Sequence, residues 1–284
     1  MDQIKASVII PTLNKLSRLR LVLKSLEPQI TDDIEVIIVF DGCDKDVISS
    51  FHELEFAFKP IEVICETNIG RASARNRGIE VAKGEIIIFL DDDRITAPHY
   101  IKSHIRHHEA GHVAVLGKRK ELYLADKEIE NYYNDFEACI GRCEAEGDND
   151  QGYSIFPLIA QFVPWINFFT GNVSVKKADL LKAGCFDEAF KQWGHEDMDL
   201  GIRMAYNKVK IMRCEDAVNY HMMHPSNFAD KRQASINNMK YLMKKHRKKP
   251  DVQMIFTAIM IKQKLFGIYV PKNQQNKYKL RGEE

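Results

Sequence analysis

Three consecutive carboxylates, Asp91-Asp92-Asp93, end the apolar run Glu85–Leu90 (EIIIFL). Adjacent negative charges repel one another unless a cation or several donors offset them. Hard divalent ions take oxygen ligands and often bridge a protein carboxylate to substrate phosphates. An aspartate pair at i, i+2 can divide that work, one on a ribose hydroxyl and one on the ion. Acidic triplets also serve as solvated turns or helix caps. The preceding run favours a ligand, because open α/β sheets bind ligands beyond the carboxyl ends of their strands.

A second cluster, Trp193-Gly194-His195-Glu196-Asp197-Met198-Asp199, stands immediately before a segment with helical spacing. Carboxylates at a helix start are favoured by the macrodipole alone. They also supply a general base for an acceptor nucleophile, with the indole of Trp193 as a flat face for a sugar ring. The run His221-Met222-Met223-His224 follows the short strand expected at Ala217–Tyr220. Neutral imidazole is a common metal ligand, so His221 can complete a site otherwise built from aspartate oxygens. In Asn68–Gly78, the arginines Arg71, Arg75 and Arg77 lie near an expected helix start. Guanidinium groups and free backbone N–H groups both favour phosphate there. Neither GxGxxG nor GxxxxGK[ST] spacing occurs in the chain, which disfavours dinucleotide and P-loop chemistry.

These groups need a scaffold that brings distant segments together. Ser7–Ile10, Glu35–Phe40, Ile61–Ile64 and Glu85–Leu90 are short runs of the kind buried on both faces of a parallel sheet. Between them, Leu16, Leu19, Val22, Leu23 and Leu26 follow helical spacing, and Ala72–Ala82 forms a second such segment. The alternation predicts an α/β fold with a mostly parallel, Rossmann-like central sheet flanked by helices. The ends of its strands carry Pro11-Thr12-Leu13-Asn14, Asp41-Gly42 and the acidic triplet. Further on, the expectations are a strand at Val113–Leu116, a polar helix over Asp126–Glu146 and an exposed loop over Gly147–Gly152. A strand within Phe168–Val175 and a helix over Glu196–Asn207 follow. From Asp230 two helices separated near Pro250 are expected, then a frayed segment after Pro271.

The formal net charge of +1 hides an asymmetry. Residues 231–284 hold 14 of the 41 Lys and Arg but only 3 of the 40 Asp and Glu. This basic region is either a solvated helix face or a surface for anionic partners, with peripheral contact at the inner face of a membrane as one use. It lacks the ordered aromatic or recognition-helix pattern of nucleic-acid binding, so no nucleic acid is expected. The six cysteines are scattered without a CxxC pair, and reduced thiols are expected. The start MDQIKASVII lacks the basic and long apolar parts of a signal peptide. The late apolar run Met254–Ile261 falls short of the ~20 residues that cross a bilayer. A cytoplasmic protein, soluble or peripheral, is expected.

Taken together, PTLN, FDG, TNIGRASARNRG, FLDDD, FTGNVSV and FDEAFKQWGHEDMDLGIRM resemble the inverting family-2 glycosyltransferases of the GT-A fold. The second half is also similar to the carboxy-terminal region of galactosyltransferases and of bacterial chondroitin-type polymerases. The resemblance covers roughly residues 5–225. It implies a GT-A domain over 1–225, with a nucleotide-sugar half at 1–118 and an acceptor half at 119–225. A basic helical extension would follow at 226–284. It implies transfer of a hexosyl or N-acetylhexosaminyl unit from a nucleotide-diphosphate sugar, usually UDP-linked, with Mn2+ or Mg2+. The acceptor would be a hydroxyl on a glycan, a lipid-linked carrier or another molecule. Carried over by position, Pro11, Thr12, Asn14, Asp41, Arg71, Arg75, Asn76, Asp91, Asp92 and Asn172 would line the nucleotide sugar. Asp93 and His221 would hold the metal, Asp197 beside Glu196 would be the base, and Trp193, Gly194 and His195 would face the acceptor. TGN replaces the commoner GGN, and QWG replaces GWG before the acidic pair. A nucleotidyltransferase of related fold would carry a Gly-rich basic loop where PTLNKLSR stands. A non-catalytic nucleotide- or carbohydrate-binding derivative is the remaining rival, and retention of the acidic pairs and His221 speaks against it.

Overall fold

A computed structural model describes residues 3–109, 111, 113–149, 162–224 and 228–266. The strands are β1 (Ala6–Thr12), β2 (Ile34–Asp41), β3 (Ile61–Cys65), β4 (Ile86–Leu90), β5 (Arg94–Thr96), β6 (Val113–Tyr123), β7 (Asp148–Asn149), β8 (Asn172–Lys176) and β9 (Lys210–Met223). They form one sheet in the order β3-β2-β1-β4-β8-β6-β9-β5, with β7 on β6. The helices are α1 (Leu16–Leu26), α2 (Lys45–His52), α3 (Arg71–Val81), α4 (Tyr100–His108), α5 (Asp126–Asn134), α6 (Phe136–Glu146), α7 (Lys177–Ala183), α8 (Glu196–Tyr206), α9 (Phe228–Lys245) and α10 (Pro250–Phe266).

The side-chain period of two divides the central strands between two apolar layers. Val8, Ile10, Ile38 and Ile88 pack with the Leu19–Leu26 stripe of α1 and with Tyr100 and Ile101 of α4. Ile9, Ile37, Val39 and Phe89 pack on the other face with Ala72, Ala74 and Ile79 of α3, and with Leu200 and Met204 of α8. The strands β3-β2-β1-β4 are parallel, as the β-branched runs suggest. The exception to burial on both faces is β3, whose Ile64 is 53% exposed at the edge of the sheet.

The second half of the sheet is mixed. β8 runs antiparallel between β4 and β6, and β5 runs antiparallel to β9. β9 is parallel to β6, with an irregularity between Gly117 and Lys118. The expected strand Ala217–Tyr220 is thus the middle of a much longer element. The expected helix over Asp126–Glu146 is two helices, because Asp135 leaves helical geometry (φ −127°, ψ 74°) and its carboxylate accepts from the Ala138 amide at 3.2 Å. Local side-chain acceptance of this kind is how Asp competes with a continuing helix. Asp148–Asn149, expected in a loop, pairs with β6, while residues 150–152 and those after Pro271 lie outside the described residues.

The chain divides into two compact units. The first runs to Lys191 and resumes at Glu196–His224, and it contains the whole sheet. The second joins Gln192–His195 to the described residues beyond Pro225, namely α9 and α10. Met239, Leu242, Val252, Phe256 and Ile259 are buried within it. Gln253 closes its interhelical turn by donating to the carbonyls of Met243 and His246 at 2.9 and 3.1 Å. Among the described residues, no helix is long and apolar enough to cross a membrane.

A buried polar chain pins α4 to β8. Nε2 of His104 lies 2.8 Å from Oδ1 of Asn172, Nδ1 lies 2.9 Å from Ser174 Oγ, and His108 Nε2 lies 2.8 Å from the same hydroxyl. The Asn172 amide nitrogen already donates to the carbonyls of Lys118 and Ala217, so its oxygen accepts from His104 Nε2–H. Burial pushes His104 down to about 3 and His108 down to about 4, so both rings are neutral at neutral pH. A histidine with a depressed folded-state pKa stabilises above its unfolded value of about 6.5 and loses that contribution on acidification toward the folded value. His104→Gln is expected to cost about 1–3 kcal/mol in denaturant unfolding at pH 8. The stability of the parent should then fall more steeply than that of the variant from pH 6.5 to 4. Parallel pH curves for the two chains would exclude this titration.

Candidate active site

The acidic triplet occupies the turn between β4 and β5. Its geometry is set by β9: Arg94 pairs with His221, and the Met222 amide donates to the Asp93 carbonyl at 2.8 Å. This pairing lays His221 beside Asp93, with His221 Nε2 3.7 Å from Asp93 Oδ2. His224 Nε2 stands 3.3 Å from the same oxygen. Ligand atoms of Asp93, His221 and His224 all lie within 4.8 Å of one another, a spacing that can hold a metal ion. His224 lies one residue past β9, so its ring is not bound by the alternation that would send residues three apart to opposite faces. The place after the expected strand and the family resemblance point to His221 and leave His224 aside.

Lys15, at the start of α1, was also not singled out by the sequence. Its Nζ lies 2.8 Å from Asp93 Oδ2, 3.3 Å from Asp92 Oδ1 and 3.4 Å from His224 Nε2. The signal for it was its place directly after PTLN, at the end of β1 beside β4. Asp92 also accepts from Thr12 Oγ1 at 2.8 Å. Burial and the neighbouring Asp93 and Asp91 charges still push its carboxyl up to about 6, against the pull of Lys15 and Thr12. Burial acts on Asp93 in the same sense, but His221, His224 and Lys15 together hold it well below the usual range.

Arg75 joins the triplet to the second acidic cluster. Only 2% exposed, it donates to Asp91 Oδ1 at 3.0 Å and to Glu196 Oε1 at 3.1 Å. Glu196 Oε2 is buried without a partner. Asp197 follows, half-buried at the start of α8, where its Oδ1 accepts from the Met198 amide at 2.7 Å. Burial and then the Glu196 charge push it up to about 7. A carboxylate tuned in this way is suited to take a proton at neutral pH.

The remaining expected residues fall into three groups. Asp41 is buried and accepts from the amides of Ile69 and Gly70 at 2.7 and 3.2 Å, which fixes the entry to α3. Gly42 admits that close approach: with φ 74°, a Cβ there would meet the Asn68 amide nitrogen at 2.2 Å. Pro11 is half-buried at the end of β1, and Arg71 is exposed at the start of α3, close enough for its charge to act on Asp91 and Lys15. By contrast, three asparagine amides are committed to the scaffold. Asn14 bonds Asp44 through both side-chain atoms, Asn76 bonds Phe186 and Glu188, and Asn172 joins the buried histidine chain. Trp193, Gly194 and His195 belong to the second unit, where Trp193 is 39% exposed and His195 only 3%. Nε2 of His195, expected to face an acceptor, is bonded to Ser235 Oγ at 2.9 Å.

Removing one partner of a buried ion pair leaves the other charge unsatisfied. Arg75→Met is therefore expected to destabilise the chain by about 3–5 kcal/mol in denaturant unfolding. A loss under about 1 kcal/mol would mean that Asp91 and Glu196 are solvated rather than paired.

Comparison with known proteins identifies the family and the fold. A family profile described as glycosyl transferase family 2 matches residues 7–162, and one described as the N-terminal domain of galactosyltransferase matches 158–226. The chain is 30% identical to the uncharacterized glycosyltransferase YfnE of Bacillus subtilis, covering 78% of this chain and 66% of that protein. It is 28% identical to a chondroitin synthase of Escherichia coli, covering 97% of this chain and 43% of that protein. The chain thus spans just under two thirds of one curated relative and under half of the other. A GalNAc-T7 structure with UDP, GalNAc and Mn2+ superposes with a TM-score of 0.63 at 13% identity, over 86% of this chain and 48% of that one, a likeness of fold. The matched profile spans more than half of the residues and includes the acidic triplet, and the chain belongs to glycosyl transferase family 2, with the GT-A fold.

Proposed function

We propose that the chain transfers a sugar from a UDP-linked donor to an acceptor hydroxyl, with inversion at the anomeric carbon and the help of a divalent ion, in the assembly of a glycan or glycoconjugate. The observation that carries this reading is the convergence of Asp93, His221 and His224 on one point, tied through Arg75 to the turn that holds Asp197. The curated relatives named as a glycosyltransferase and a chondroitin synthase, and the UDP and Mn2+ of the GalNAc-T7 structure, support it.

The donor set fits a metal. Two imidazole nitrogens and one carboxylate oxygen suit manganese better than magnesium, which prefers oxygen ligands throughout. Bound there, a divalent ion would offset the charge that gathers on the diphosphate as it leaves. Asp41, Pro11 and Thr12 line the nucleotide, Asp91 faces its ribose, and Arg71 and Lys15 meet the diphosphate. Asp92 keeps Thr12 and Lys15 in place. Asn14, Asn76 and Asn172 support these segments rather than the ligand. Trp193 offers its indole to the acceptor ring. Asp197 takes the proton of the acceptor O–H as its oxygen bonds to the anomeric carbon, and the bond to the diphosphate breaks with its electron pair on UDP. The exposed Lys240, Lys244, Arg247 and Lys248 of the second unit form a basic surface suited to an anionic membrane face.

A screen of UDP-sugars for UDP release, with and without glycan acceptors, tests the reading as a whole. Asp197→Asn is expected to keep UDP binding and to lose transfer by about 100-fold or more. Since the base must be ionised, kcat/KM should rise about tenfold per pH unit up to about 7 and then level off. A flat profile between pH 5.5 and 8 would remove Asp197 from that role. Calorimetry should show that Mn2+ tightens UDP binding in the parent and does not in Asp93→Ala or His224→Ala. If Mn2+ tightened UDP binding equally in all three chains, the proposed ligand set would be wrong.

A further inference from the structure

The loop Gln192–His195 is bracketed in sequence by the sheet unit yet packs with the helical unit. It carries two consecutive left-handed residues, Gly194 at φ 100° and His195 at φ 72°. For a residue with a Cβ this region is strained, and such geometry persists only when its surroundings over-determine it. Here α9 supplies the constraint. The Asn238 side-chain amide donates to three successive carbonyls, those of Gln192, Trp193 and Gly194, at 3.1, 3.3 and 2.7 Å. One turn earlier, Ser235 Oγ bonds His195 Nε2 at 2.9 Å. The His195 ring also packs edge-on against Phe256 of α10, with ring centroids 5.8 Å apart. Asn238, Ser235 and His195 are 7%, 3% and 3% exposed, so these bonds are shielded from water.

The aromatic side chain that the loop presents outward is Trp193. Lys231 Nζ sits 5.3 Å from its ring centroid, on one face of the indole. The loop runs straight into Glu196 and Asp197. We propose that Asn238 is a positioning residue: the helical unit holds Trp193–His195 in a strained left-handed turn so that the indole is presented to the acceptor sugar in one orientation. Ser235 and His195 complete the same clamp. The inference rests on the reading of Trp193 as the acceptor's platform. It gives the C-terminal helices a part in acceptor recognition, beyond any use of their basic surface.

Trp165 and Trp193 are the two tryptophans of the chain. The test uses the full chain with Trp165→Phe, so that emission reports on Trp193 alone. Asn238→Ala should raise the acrylamide quenching constant of Trp193 about twofold as the clamp opens. With methyl glycosides of glucose, galactose and their N-acetylamino counterparts as acceptors, KM should rise about tenfold, the weight of one lost net hydrogen bond. Calorimetry should leave UDP–Mn2+ affinity within a factor of about two, since those ligands meet other residues. Gly194→Ala is a second arm. A Cβ at Gly194 would meet nothing within 4 Å, so this change alters only the backbone preference. It should reproduce both effects, and it decides the matter if Asn238→Ala loses helicity by circular dichroism. Parent-like quenching and KM in Gly194→Ala, or an equal loss of UDP affinity in both variants, overturns the proposal. A parent that releases UDP from no sugar nucleotide overturns the transferase reading instead, and the quenching measurement still judges the clamp.

Discussion

The short antiparallel pairing of Arg94–Thr96 with Asn219–His221 determines where the charged groups of the molecule meet. β4 delivers the acidic triplet to the edge of a parallel sheet, but nothing in β4 itself says which residue of the triplet points where. The direction is set when the chain turns into β5 and the Met222 amide takes the Asp93 carbonyl. β9 is fixed along its length by β6, so His221 arrives beside Asp93 as a matter of register. A slip of one residue would send the imidazole to the opposite face of the sheet. Between the partners of Gly117 and Lys118, β9 carries three extra residues, Glu215–Ala217, so its register on β6 shifts there. A Cβ at Gly117 would stand 2.1 Å from Asn172 Oδ1, so the glycine there lets β6 approach the buried amide that anchors β8.

That register concentrates negative charge. Asp91, Asp92, Asp93, Glu196 and Asp197 share their surroundings with the cations of Lys15, Arg71, Arg75, Arg94 and Arg119. Burial and like charge act unequally on these groups: Asp92 is pushed up to about 6 and Asp197 to about 7, while Asp93, beside two imidazoles and Lys15, is held down. The site thus separates its acids by environment, one firmly ionised beside the candidate metal ligands and one poised near neutrality at the position proposed for the base. Arg75 makes the two halves one electrostatic unit, because its single buried guanidinium bonds Asp91 on one side and Glu196 on the other.

Much of this was legible in the sequence, and the parts that were not have identifiable causes. Buried parallel strands read clearly because Ile and Val fill both faces, and the positions of Asp41 and Asp91–Asp93 followed from the strand ends. The antiparallel course of β8 was hidden, since a run such as NVSVK carries no direction. Lys15 and His224 were hidden because their roles come from side-chain reach across the sheet edge, at residues just outside regular strands. Asn14, Asn76 and Asn172 were expected at the ligand and prove to be committed to protein partners. An amide reads identically in sequence whether it bonds a substrate or its own scaffold. The membership of Gln192–His195 in the helical unit was equally invisible, being a property of contacts made more than forty residues away.

The departure of TGN from the commoner GGN illustrates how geometry sorts a motif. A Cβ at Gly171 would stand 2.5 Å from Arg94 Nε and 2.7 Å from Asp91 Oδ2, so a side chain there would displace Arg94 or Asp91 from the acidic turn. The Gly171 carbonyl then accepts from Asn219 at 2.7 Å, and Asn219 Oδ1 accepts from Arg94 at 3.3 Å. Thr170, where the sequence differs, lies one step before this contact and is itself buried. The substitution therefore falls beside the constraint and leaves it intact. The glycine that remains is the one whose missing side chain leaves room for Arg94 to reach Asp91, and with it for the turn on which the candidate metal ligand Asp93 is held.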